Sequence, residues 1–460
     1  MNILRFSLVV FVPLISFSVI NLGDNQVRDT IYPIRFYLTL ILALAGCLVL
    51  LSTVSRSQSI LFFLKRKLKV LRIFSLVPIA YFLWIILSAL FSSAPGYSWL
   101  GHPYTQFGSL MLLSCIGLLV IYTKAAPIML VMRSLVVTTV IMAVLTLIES
   151  LGLRPLQAII HSQNMLYPAA TIGHRPHLGG WFAITALAPV FFYRQRPHDL
   201  WFWCWLLSSI VGLSLTTTSS ASLGVFIGLC IWLAISLRNR SWKHPALILI
   251  IFCSSIFALP KACIAITQLV DSTPPIFKDY TSAGSFKPRT YLWKSAFNAA
   301  LERPLFGWGD DTFAYQVFKH LNSRDAEALF RAELGLGGDY ELRYSDSAYF
   351  AYKPKVTGGE VKSGTLLYIR PHNILVDEMY SRGFVGLLLF VLSIVYVLHS
   401  VYARQKGELI YFILMILPYS IYLMAWFYVN PVTPLFFILI GTGLAEINLH
   451  SKNKSGLGYV

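Results

Sequence analysis

The feature that most constrains this chain is the recurrence of long, nearly uncharged apolar runs. About twelve lie at residues 4–22, 34–54, 73–93, 107–123, 131–150, 179–193, 201–217, 222–237, 245–262, 384–401, 409–428 and 433–448. A bilayer core of roughly 30 Å takes about 20 apolar residues per helix. Buried against one another in water, so many runs would leave too little polar surface to cover them. Hydrophobic residues make up 56% of the chain and charged residues 12%, whereas a soluble domain carries about twice that charge. The reading is an all-α polytopic membrane protein of about twelve transmembrane helices. The first run lacks a small-residue cleavage site and reads as a membrane helix rather than a signal peptide.

The net charge of +17 suggests nucleic acid until its distribution is examined. From Ile264 to Gly383 there are 14 basic and 14 acidic residues, so that stretch is neutral and holds most of the 20 acids. The excess of basic residues lies in short loops: Arg56 to Arg72, Arg194 and Arg196, Arg238 to Lys243, Arg404 and Lys406, and Lys452 and Lys454. With twelve spans, all of these loops fall on one side, together with both termini. Basic loops mark the cytoplasmic side, so nucleic acid is excluded as a partner and membrane lipids take its place. Three segments are then expected: a membrane domain over 1–262, a large extracytoplasmic loop over 263–383 between helices nine and ten, and a second membrane part over 384–460. Loops 94–106 and 152–178 would share the outer side.

The large loop reads as mainly helical. Pro288 to Glu302 carries Leu292, Ala296 and Ala299 on one face, and Trp293, Phe297 and Ala300 on another. A second helix is expected at about 312–333, closed by Gly335. Val356 to Val361 reads as a hairpin turn. Asn373 is placed to cap a third, short helix ending at Gly383.

Six cysteines (Cys47, Cys115, Cys204, Cys230, Cys253 and Cys263) lie in or beside apolar runs without a CxxC pair. They read as small membrane-core residues, and no metal or cofactor is expected of them.

Four polar groupings carry potential chemistry. Arg289 opens a helix, where the dipole is already positive. A bound anion would offset that cost, with Lys287 and free backbone N–H groups nearby; a solvated surface Arg is the plain alternative. Arg370-Pro-His372-Asn373 precedes a span, and such a His can act as a base or hydrogen-bond donor near neutral pH, or simply pair with a loop carbonyl. Gly173-His174-Arg175-Pro-His177 at a membrane boundary suits an anion or an interfacial anchor; no third ligand at a defined spacing supports a metal. Thr216 to Ser222 is a hydroxyl-rich turn, suited to close helix approach or to a sugar or phosphate. Glu149 reads as a snorkelling acid or a partner of Arg154.

Taken in order, Arg289-x3-Trp293, Pro304-x2-Gly307-x-Gly309, His372-Asn373 with Gly383-x2-Gly386, and Ser93-Ala-Pro95 through Trp99 and Gly101 to Gly108 resemble the O-antigen ligase and polymerase superfamily of bacterial membrane glycosyltransferases. The resemblance implies an inner-membrane enzyme that takes a glycan from undecaprenyl diphosphate at the periplasmic face. It would pass the glycan to a sugar hydroxyl of lipid A–core or of another repeat unit, with inversion and without a metal. It assigns Arg289 to the diphosphate and His372 to the acceptor hydroxyl. Many members place an Arg between spans seven and eight, where this chain has Ser219-Ser220-Ala221. Arg175 is the expected substitute and Arg370 the second, with Lys287, Ser220 and Asn373 as further substrate contacts. The missing Arg would equally suit a different donor or a member without transferase activity. A transporter or flippase for a lipid-linked sugar or small anion is the alternative, although a neutral loop of this size is surplus for a carrier. A membrane scaffold whose loop docks a partner is the third reading.

Overall fold

The computed structural model describes residues 3–19, 27–57, 76–103, 105–153, 155–156, 168–194, 196, 198–269, 286–346, 349–355 and 360–454. Each expected apolar run meets a helix. In chain order these are α1 Ile3–Phe17, α2 Val27–Ser57, α3 Val77–Leu90, a short α4 Pro95–Leu100, α5 Ser109–Ala125, α6 Ile128–Ser150, α7 Arg175–Ala186, α8 Ala188–Phe192, α9 Leu200–Thr216, α10 Ser219–Arg238 and α11 Lys243–Leu269. After a polar segment come α14 Ile374–Arg404, α15 Leu409–Leu423 and α16 Thr433–Lys454. Among the described residues six helices are long and apolar enough to cross a membrane, and five shorter ones are apolar. The fold is therefore that of a mostly helical, multi-pass membrane protein.

The run at 179–193 is not one helix. It breaks at Leu187 into α7 and α8, with Pro189 in the first turn of α8, because proline cannot donate to the carbonyl one turn back. Two residues, Thr217 and Thr218, join α9 to α10, and Thr217 makes the turn in the left-handed region at φ +50°. Glu149 neither snorkels nor floats: its Oε2 accepts from the backbone N–H groups of Ala169 and Ala170 at 2.8 and 2.7 Å. Arg154, its expected partner, lies outside the described residues.

The segment before α14 has its own apolar core. Helix α12 (Phe286–Glu302) buries Leu292, Ala296 and Ala299 against Phe313, Val317, Phe318, Leu329 and Phe330. The second expected face is only partly free: Ala300 is buried and Trp293 packs on the same core, while Phe297 is exposed. The second helix is shorter than expected. A 3-10 turn at Phe313–Tyr315 comes first, and α13 spans only Ser323–Leu334. Asn322 sets its start by accepting from Asp325 N–H, and Gly335 ends it at φ +64°. The expectation of a mainly helical loop also misses a sheet. Strands β1 Tyr340–Tyr344, β2 Tyr349–Pro354 and β3 Lys362–Thr365 pair antiparallel in that order. Tyr340, Tyr344, Tyr349, Phe350 and Tyr352 supply the aromatic residues that suit a pleated surface. The turn expected at 356–361 falls on residues of which 356–359 lie outside the described residues.

Glycines clamp this segment onto the membrane helices. A Cβ on Gly307, at φ +68°, would meet the backbone of Ser381 and Arg382 at 2.5–2.6 Å. On Gly383, at φ +71°, it would meet the carbonyl oxygens of Leu305 and Pro304 at 2.2–2.5 Å. Two backbones therefore cross in contact, tied by Trp308 N–H to Tyr380 O, Gly309 N–H to Ser381 O and Phe384 N–H to Pro304 O at 2.8–3.0 Å. Gly383 also bends α14, so the expected short helix and the following span are one kinked element. From α3, Ser88 donates to the carbonyls of Phe306 and Ser381, and Trp84 Nε1 donates to that of Arg382.

Candidate functional site

His372 sits at the entry to α14, held from both sides. Its Nδ1 lies 3.0 Å from the carbonyl oxygen of Arg370. A carbonyl can only accept, so Nδ1 carries the proton and Nε2 keeps its lone pair. The next residue, Asn373, caps the helix through Oδ1 with the N–H groups of Leu375 and Val376, and its Nδ2 donates to the carbonyl of Met424 at 2.9 Å. His372 itself takes φ +58°, an uncommon conformation for a residue with a Cβ. Burial and the nearby Arg289 guanidinium hold its pKa below the ordinary imidazole range. The ring is therefore neutral at neutral pH.

Trp426 is the hub around which the site is arranged. The His372 ring stands edge-on to it at 4.9 Å and to Phe427 at 5.1 Å. The guanidinium carbon of Arg289, from the first turn of α12, lies 6.0 Å from the Trp426 ring centre, within cation–π reach. His174 and His177, from the start of α7, lie 6.2 and 5.8 Å from the same ring and 4.4 Å from each other. Burial pushes the Arg289 pKa down, with Glu333 and Tyr422 opposing, and among the described residues Arg289 forms no ion pair. Four segments remote in sequence thus bring an arginine, three imidazoles and an indole together.

Arg175, buried at the start of α7, donates from Nη1 to Thr217 Oγ1 at 2.8 Å. Gly179 on α7 is packed so tightly that a Cβ would meet the Thr218 hydroxyl at 2.3 Å. The basic end of α7 is therefore docked on the turn that precedes Ser219-Ser220-Ala221. Ser220 is half-buried in the first turn of α10, and Lys287 is exposed at the start of α12.

Two expected substrate contacts have other engagements. Asn373 spends its amide on the helix cap and on Met424, so it positions His372 and the Trp426 segment. Arg370 is buried, and its guanidinium donates to Asp311 Oδ1 at 2.6 Å, to Asp377, and to the carbonyl of Phe107 at 2.5 Å. Burial works against its charge, but Asp311, Asp377 and Asp310 more than offset this and hold it charged. Arg370 is expected to contact substrate; in this structure its donors face protein acceptors.

Arg370 belongs to a network that sequence reasoning missed. Asp310 accepts from Arg382 at 2.7 Å and from Ser109 at 2.6 Å. Asp311 accepts from His102 N–H at 2.8 Å and from Thr105. Glu378 pairs with Arg382 and accepts from Tyr81 at 2.9 Å. Asp310-Asp311 directly after Gly309 was the available signal, since adjacent acids beside an apolar crossing need buried cations. Trp426 gave none, because it lies inside what reads as the end of an apolar run. Among the described residues no group of three His, Cys, Asp or Glu is arranged to hold a metal.

Residues 204–391 match the family model described as O-antigen ligase. The matched stretch contains Ser220, Arg289, Arg370, His372 and Asn373, whereas Arg175 and Trp426 fall outside it. No curated protein matches the chain.

Proposed function

We propose that this member of the O-antigen ligase family transfers a glycan from undecaprenyl diphosphate to a sugar hydroxyl, on lipid A–core or on another lipid-linked repeat unit. The observation that carries the reading is the convergence of Arg289 and His372 on Trp426. A transfer of this kind needs two things: a fixed positive charge for the departing diphosphate and a neutral base for the incoming hydroxyl.

In the reaction the acceptor oxygen forms a bond to the anomeric carbon as the bond from that carbon to the diphosphate breaks. One displacement inverts the configuration. The negative charge that grows on the leaving diphosphate is met by Arg289, a form of electrostatic catalysis that strengthens away from bulk water. Arg175 supplies the second positive charge from the turn at Thr217, where many relatives by resemblance carry an Arg one turn later. The acceptor's proton passes to Nε2 of His372, whose Nδ1–H is held by the Arg370 carbonyl. Lys287 and Ser220 line the donor's approach. With arginines supplying the charge, no metal ion is invoked.

The same reading sets the topology. Both termini face the cytoplasm of a bacterial inner membrane, residues 1–262 and 384–460 form the membrane parts, and 263–383 with its site faces the periplasm. The basic loops support it.

The test is an in vitro transfer assay. Purified protein receives undecaprenyl diphosphate-linked oligosaccharide, with either lipid A–core or more of the same donor, in the presence of chelator. Glycosylated lipid A–core establishes a ligase, and lengthened lipid-linked chains a polymerase. Specific donor binding without product from any acceptor would overturn the enzymatic reading in favour of a transporter.

A further inference from the structure

The base proposed above can occupy either of two neutral tautomers, and only one leaves Nε2 free to take a proton. What selects it is the acceptor that Nδ1–H finds. That acceptor is the main-chain carbonyl of Arg370, at 3.0 Å, and the side chain of the same residue is one of the most firmly held in the molecule. Its Nε reaches Asp311 at 2.6 Å, its Nη1 reaches Asp377 and its Nη2 reaches the Phe107 carbonyl at 2.5 Å. Asp311 is fixed in turn by His102 N–H and by Thr105. Only Pro371, whose ring locks its own φ, stands between this anchored residue and His372. His372 adopts φ +58°, a costly conformation for a residue with a Cβ that persists only where the flanks over-determine it. Asn373 supplies the flank on one side. Arg370 supplies the other.

We infer that Asp311 and Arg370 are positioning residues for His372: the buried carboxylate–guanidinium pair fixes the Arg370 carbonyl and thereby the tautomer and orientation of the imidazole. This rests on the reading of His372 as the proton acceptor. Asp311 and Arg370 touch neither substrate nor reacting atoms. Their effect reaches the reaction through a single main-chain oxygen. A network that served only to fasten the polar segment to the membrane helices would be indifferent to which of its pairs was weakened. A positioning network is not, because Arg370 alone carries the carbonyl.

The experiment compares two isosteric substitutions in the full-length protein, reconstituted in lipid nanodiscs and labelled with nitrogen-15 histidine. Asp311→Asn weakens the hold on Arg370. Glu378→Gln weakens an equally buried pair of the same network, that of Arg382, without touching Arg370. The His372 signals are identified by their loss in His372→Gln. In the wild type, Nδ1 is expected to be protonated and Nε2 bare. Asp311→Asn is expected to mix the two tautomers and to lower kcat by about 10- to 100-fold, the loss usual when the partner that orients an imidazole is removed, with donor KM unchanged. Glu378→Gln is expected to keep the single tautomer. Should Asp311→Asn fail to fold, Arg370→Lys keeps the charge but cannot reach three acceptors, and the same mixing is required of it. A single wild-type tautomer in a folded Asp311→Asn or Arg370→Lys protein, or equal mixing in Glu378→Gln, overturns the inference. The nitrogen spectra need no turnover, so a protein inactive with every donor would refute the transferase reading and leave this test standing.

Discussion

Two clusters of charge face each other across residues 370–373, and they are built on opposite plans. In the buried network, Arg370 and Arg382 are matched by Asp310, Asp311, Asp377 and Glu378, so carboxylates outnumber guanidiniums. Around Trp426, Arg289 and three imidazoles gather with no carboxylate in an ion pair to Arg289 among the described residues. An arginine whose donors all end on protein oxygens is part of the framework. An arginine set over an aromatic ring beside imidazoles, with no direct ion pair among the described residues, is suited to an anion that arrives from outside. The same residue type thus plays two roles, and its partners decide which.

The comparison can be broken by exchanging the consequences. Arg370→Ala should cost about 3–5 kcal/mol of stability, the usual cost of leaving buried charges without their partner, read as a lower unfolding temperature in detergent. Arg289→Ala should leave stability within about 0.5 kcal/mol of wild type, as for a substitution away from the packed core, and so barely shift that temperature. If the two variants melted alike, the division into framework and site would fail. His372→Ala should leave the fold intact and lower transfer by about 10²- to 10⁴-fold, the range for a positioned general base. Arg289→Ala should lower it by about 10²- to 10³-fold, as for the removal of one preorganised donor to a developing anion, with Arg289→Lys recovering part of the loss. Normal transfer by either Ala variant would refute the site assignment.

The pH dependence sharpens the same contrast. Burial and Arg289 depress the His372 pKa, so the base stays neutral as pH falls and is protonated only below the ordinary imidazole value of about 6.5. The acid limb of kcat/KM should therefore lie below that value. In Arg289→Ala a neighbouring positive charge is gone, and the limb should move upward. The smallest effect concerns the turn at Ser220. Arg175→Ala should lower transfer by about tenfold, corresponding to roughly 1.4 kcal/mol, and Ser220→Arg in that background should restore it if both positions serve the same phosphate. Failure of the second substitution to rescue the first would separate Arg175 from the donor site.

Much of this architecture was legible in the residues. Apolar runs of bilayer length produced helices at the expected places, since in lipid a chain must satisfy its backbone within each span. The capping role of Asn373 followed from local spacing alone, as did a helix at α12 with Leu292, Ala296 and Ala299 on one face. The expected helix at 312–333 failed because its first half packs as irregular chain around Phe313 and Val317, and the pull of that core outweighs helix propensity. The strands at 340–365 were missed, because strands depend on cross-strand partners that no local window contains.

The candidate site divides in the same way. The sequence by itself determined a membrane-spanning helical chain, and it singled out Arg289, His372 and Arg175 as polar groups in places that demand a reason. It also placed glycines at 307, 309 and 383, though not what they were for. Only the tertiary structure decided that two backbones cross there too closely for any side chain. It alone surrounded Arg370 with carboxylates, and it alone gathered Arg289 and three imidazoles on Trp426. Helix formation rests on neighbours within a few residues. Charge compensation rests on whichever side chains the fold brings within a few ångströms, and here Asp310 and Asp311 reach Arg382 and Arg370 from 72 and 59 positions away.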